Sequence, residues 1–101
     1  MAWTETHVFV DPMVDLRSES DRADALEAEL AREIGRGHVL DGQPWRVVAE
    51  ATPQDEVLVA AGETAFLVHL TWTGHAESPP WPTAERVDSA EEFERLVEFR
   101  Y

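Results

Sequence analysis

Apolar residues recur at three- and four-residue spacing through "SESDRADALEAELAREIGRG". Ala23, Leu26, Leu30 and Ile34 make one stripe, and Glu27, Glu29, Arg32 and Glu33 line the rest. This period predicts an amphipathic helix. Ser20 or Asp21 is its expected N-cap, acids sit early where the helix dipole favours them, and Gly35 or Gly37 is the left-handed stop. The tail "VDSAEEFERLVEFRY" predicts a second amphipathic helix. Ser89 and Glu92 match a capping box, and Ala90, Phe93, Leu96 and Val97 form the stripe to be buried.

Between these helices the period changes to two. Three strand-like runs follow a loop, "GHVLDGQP": Trp45 to Ala51, Glu56 to Ala61 and Thr64 to Trp72. Pro53 in "TPQD" suits a four-residue type I turn, and Gly62-Glu63 suits a two-residue hairpin. The third run alternates Phe66, Val68, Leu70 and Trp72 on one side with Leu67, His69 and Thr71 on the other. Both sides are largely apolar, so this strand is expected to be central or covered on both faces. The early segment "THVFV" is a candidate short strand ending at Asp11-Pro12. The expected fold class is α+β, with helix, three-stranded antiparallel meander, then helix, both helices packed on one face of the sheet. Residues 1–101 read as one domain, the first ~17 as a candidate extension.

Charge narrows the function classes. The 101 residues carry 21 acids against 8 bases, a net charge of −13, and every base is arginine. Such a chain lacks the basic face that phosphate binding needs, which argues against nucleic acid and favours a basic partner, or simply a solvated acidic surface. The absence of cysteine removes disulfides, thiol nucleophiles and thiolate metal sites. "MAWTETHVFV" has no basic leader, and no run approaches the ~18 apolar residues of a membrane span, so the expected location is the cytoplasm and no membrane partner is expected.

The stretch "LVHLTWTGHAESPPWP" gathers most of the candidate chemistry. Imidazole and carboxylate are the usual ligands of zinc, which makes His69, His75 and Glu77 weak candidates for a metal site. A straight strand at ~3.3 Å per residue would hold the two histidines about 20 Å apart, so they meet only if Thr73-Gly74 reverses the chain. His69 reads as a core or interface histidine, or as a general base if Asp55 or Glu56 orients it. His38 reads as a cap on the carbonyls that end the first helix. Trp72 and Trp81 are either the aromatic walls of a ligand site or lids on the core. Pro79 and Pro82 have the spacing of a polyproline ligand. A nucleophile elbow, a phosphate-cradling glycine loop and a His-Glu-x-x-His helix are all missing, so no cofactor is implied.

With these residues in view, the chain resembles a family of small uncharacterised bacterial proteins. The shared pattern is an acidic helix, then Gly37, His38, Leu40 and Gly42, the acidic pair Asp55 and Glu56, Val68 to Trp72, Glu77, and Trp81 with Pro82. It spans roughly Leu26 to Val97, with Glu56 standing where the family has aspartate. The resemblance implies an intracellular bacterial stand-alone domain in which His38, Asp55, His69 and Glu77 lie near one another.

Two function classes remain. One is a non-catalytic protein-interaction module, either immunity- or antitoxin-like toward a basic partner, or a homodimer through the second sheet face at Val48, Leu58 or Leu67. The other is a metal-binding or histidine-based enzyme, or a small-ligand binder, built on His38, Asp55, His69 and Glu77 with Trp72 and Trp81 as walls.

Overall fold

Val57 and Val59 alternate with Leu58 along one strand, so a sheet containing that strand must bury both of its faces. The protein, in a computed structural model that describes residues 2–51, 55–79 and 81–100, does so. A single 3₁₀ turn, Trp3–Glu5, precedes β1 (Met13–Asp15) and α1 (Ser20–Glu33). Then come β2 (Arg46–Ala51), β3 (Glu56–Ala61), β4 (Thr64–His69), β5 (Ala84–Val87) and α2 (Ala90–Arg100). All the strand pairs are antiparallel and follow chain order, β1-β2-β3-β4-β5.

Both helices were expected on one face of a three-stranded sheet; the sheet has five strands and each face has its own helix. Ala23, Leu26 and Leu30 of α1 pack with Val47, Val57, Val59, Phe66 and Val68. Phe93 of α2, with Leu96 and Val97 beside it, packs with Ala49, Leu58, Ala65, Leu67 and Val87. The reason is parity. Strands apolar on both sides would leave Leu58 and Leu67 in water under a one-sided arrangement, at about 1.5–3 kcal/mol each. α2 buries both, and so removes the second sheet face as a surface for another copy.

One extra residue in β2 makes the two layers compatible. Val47 pairs with Val59, but Ala49 pairs with Leu58, which leaves Val48 as a bulge. Were Val48 part of an unbroken alternation, Val47, Ala49 and Ala51 would share a face. With the bulge Val47 joins the α1 layer, Ala49 and Ala51 join the α2 layer, and Glu50 meets Arg22 of α1 in a two-bond ion pair at 2.9 and 3.0 Å.

Other differences are local. "THVFV" is not a strand: β1 begins after Pro12, Val8 and Val10 stand exposed, and Phe9 packs against Phe93. Ala2, Thr4, Met13 and Leu16 are buried, which ties this first segment to the rest. Glu19, without a side-chain cap, precedes α1 in place of Ser20 or Asp21. The α2 cap is close to the expected box: Glu92 N–H donates to Ser89 Oγ, while Glu92 Oε2 accepts from Asp88 N–H, one residue earlier than expected. The turn expected at Pro53 lies outside the described residues. No described helix is long and apolar enough to cross a membrane.

Candidate functional site

β4 stops at His69, three residues short of the expected end, because the main chain turns out of the sheet. Leu70 N–H donates to Asp55 O, itself at a positive φ of 53°, and Trp72 takes the left-handed conformation at φ 60°. A chain leaving a sheet carries N–H groups that have lost their ladder partners, and each needs another acceptor. Two glutamates of α1 supply them. Glu33, fully buried, accepts the N–H of Thr71 and of Trp72 on its two carboxyl oxygens, both at 2.9 Å, and its main-chain carbonyl accepts Glu77 N–H at 2.9 Å. Glu29 accepts Gly74 N–H at 3.2 Å and the Arg32 guanidinium at 2.7 Å. Gly35 completes the clamp, because a Cβ there would overlap the carbonyl oxygen of Glu77.

The two carboxyls divide their proton unequally. Burial, then the neighbouring Glu29, push Glu33 above the usual carboxylate range, against the pull of the Thr71 and Trp72 N–H groups. The hydrogen bond from Glu33, then Arg32, hold Glu29 below that range. Of the two, Glu33 is the one that binds a proton more readily as pH falls.

The histidine after α1 is a second tie. Leu40 N–H donates to His38 Nδ1 at 3.1 Å, which leaves Nε2–H to donate to Pro82 O at 2.7 Å. Buried His38 thus joins two segments far apart in the chain instead of capping α1. Pro82 is itself fully buried, so the Pro79 and Pro82 pair is not presented as a polyproline ligand.

The residues singled out in the sequence come together only in part. His38, Trp72, Glu77 and Trp81 all belong to the loop between β4 and β5 or to its anchors, but they are joined through main-chain groups. Trp72 and Trp81 are half exposed and line none of the clefts described below. His69 is exposed at the end of β4, directly across the ladder from Glu56, and its N–H donates to Thr83 O. Asp55 directs its carbonyl, not its carboxylate, into the bonding of this region. Glu56 is buried and paired with Arg100 of α2, which also holds Glu85 at 2.9 Å. Exposed His75 meets the carbonyl of Ala76, and Thr71 Oγ1 lies 3.4 Å from a carboxylate oxygen of Glu77. Among the described residues, no three histidine or carboxylate groups converge on a metal position, so His69, His75 and Glu77 are not gathered.

Two clefts of about 500 Å³ open among the described residues. One, of about 530 Å³, lies beside His38 between Val39 and Pro79. The other, of about 510 Å³, lies between the first residues, the start of α1 and the start of β2. Leu16, Ala23 and Val47 form its apolar floor, Trp45 stands beside them, and Asp24 and Glu27 line its polar side. Sequence reasoning placed no site there. Its one signal was Trp45 after Pro44 at the head of a strand, the only tryptophan outside the first residues and the β4–β5 loop.

Comparison of the chain with protein-family models, with curated proteins and with solved structures gives no match.

Proposed function

We propose that this protein works without catalysis, as an acidic binding module for a basic protein partner. The observation that carries this reading is the outward face of α2, where Glu91, Glu94 and Glu98 follow one another at three- and four-residue spacing, all exposed. Exposed Arg95 stands among them and offsets one charge, but the acids outnumber it three to one on this face, and a net charge of −13 deepens the field around them. A partner bringing guanidinium or ammonium groups relieves this excess. The interior is in keeping with this reading, since His38, Glu29, Glu33 and Glu56 bond main-chain groups, arginines and, for the two α1 glutamates, each other. The immunity- or antitoxin-like role, and the bacterial cytoplasm implied by the resemblance, belong to this proposal.

Affinity capture with tagged protein, followed by a salt gradient, tests it. A basic partner should bind at low ionic strength and leave as salt rises past about 0.1 M, where charges more than about 10 Å apart are screened. It should be lost from the triple variant Glu91→Gln, Glu94→Gln, Glu98→Gln. Retention of a neutral or acidic partner, indifferent to that variant, would sink the proposal.

A further inference from the structure

The cleft at the start of α1 has the size of a small-molecule site, which for proteins is roughly 300–1,000 Å³. Its floor is core. Leu16, Ala23 and Val47 belong to the buried cluster under α1, so a group entering the cleft meets the edge of the hydrophobic layer. Trp45, partly buried against the same cluster, adds an aromatic surface whose ring quadrupole attracts cations.

The charges around the cleft are of unequal availability. Arg17 is consumed: its Nε and one terminal nitrogen donate to Asp15 at 2.9 and 2.7 Å, and the other donates to Thr4 O at 2.8 Å. Arg46 is left as the one guanidinium of the lining without a bonded partner among the described residues. The lining also holds three carboxylates. Glu5 gives one oxygen to Ala2 N–H, Glu27 gives one to Val47 N–H, and Asp24 has no bonded partner among the described residues. Each therefore keeps acceptor capacity toward the cleft.

From the apolar floor, the indole and this excess of carboxylate we infer a binding site for a small organic cation, an ammonium or guanidinium carried on an apolar body. The apolar body covers Ala23 and Val47, and the cationic head meets Asp24 and Glu27. The inference does not rest on the acidic face of α2. A free amine and a lysine or arginine side chain of another protein share this chemistry.

The test is a ¹H–¹⁵N correlation titration of the full chain at constant ionic strength, with n-hexylamine, with hexanoate, and with the peptide acetyl-Arg-Leu-Arg-amide. Hexylamine should shift the amides of Ala23, Asp24 and Val47 and the indole N–H of Trp45, and bind about tenfold more tightly than hexanoate, whose tail is similar and whose head is opposite in charge. The variant Asp24→Asn with Glu27→Gln should lose that preference yet stay folded, because the Gln amide oxygen still accepts Val47 N–H. Tighter binding of the peptide than of hexylamine at these same amides would assign the cation to a protein side chain; binding of hexylamine without the peptide would assign it to a free amine. Equal or tighter binding of hexanoate, shifts confined to the α2 face, or no shift at the cleft amides would overturn the inference. Failure to capture a basic protein leaves these outcomes untouched, so the two proposals fail separately.

Discussion

Glu33, the last residue of α1, accepts the main-chain N–H of Trp72 at 2.9 Å, and Trp72 holds the left-handed conformation that aims this N–H together with that of Thr71 at one carboxyl group. One buried side chain thus makes two of the ties between helix and loop. Glu33→Ala removes the acceptor of two partly buried N–H groups at about 1–3 kcal/mol each, so a loss of roughly 2–6 kcal/mol is expected in urea unfolding. Glu33→Gln, which keeps one acceptor oxygen and offers an amide N–H to Glu29, should lose less than half as much.

The same pair sets a pH dependence with two arms. Glu33 titrates above its unfolded value of 4.5, so the folded state holds its proton longer and stability falls as pH rises from about 4.5 through the raised value. Glu29 and Asp15 titrate below their unfolded values, Asp15 mainly through its hydrogen bond from Arg17, so the stability they contribute is lost as pH falls below about 4. Unfolding midpoints measured across pH should peak on the mildly acidic side. Glu33→Gln should flatten the upper arm and leave the Asp15 part of the lower arm in place.

Gly35 is required by proximity to Glu77. Gly35→Ala forces its methyl group against the Glu77 carbonyl oxygen, and a cost of about 1–3 kcal/mol is expected for such overpacking. Faster hydrogen exchange at the Glu77 amide, which donates to Glu33 O, would locate the damage.

Phe93 tests the two-sided sheet. It is buried at the centre of the α2 layer, so Phe93→Ala should cost about 3–5 kcal/mol and raise binding of a hydrophobic dye as Leu58 and Leu67 become accessible. A variant as stable as the parent would contradict the placement of α2.

Periodic segments were the legible part of the sequence. The stripe of α1, the bounds of β3, the capping residues of α2 and the burial of β4 on both sides all follow from local spacing. Alternation could not show that β4 ends at His69, since Leu70 and Trp72 continue the pattern while the backbone has already turned. β5 has four residues, too few for a period. Glu29 and Glu33 were read as lining the helix outside the apolar stripe, although their spacing from Leu26 and Leu30 sets them in it and both are buried. His38 and Pro82, and the walls of the cleft near Trp45, meet through tertiary approach that spacing along the chain does not encode.

The bulge at Val48 makes β2 a junction between two alternation phases, one read from Arg46 to Val47 and the other from Ala49 to Ala51. Substitution and deletion are therefore unlike events at this position. A different side chain at half-buried Val48 changes one contact, whereas removal of the residue makes Val47–Val59 and Ala49–Leu58 consecutive pairs, closing the bulge with Val47 still in the α1 layer and Ala49 still in the α2 layer. Position 48 can therefore be lost without turning either phase over, and variation among descendants of this chain should record many residues, and gaps, at 48 but no gap at Glu50 or Ala51.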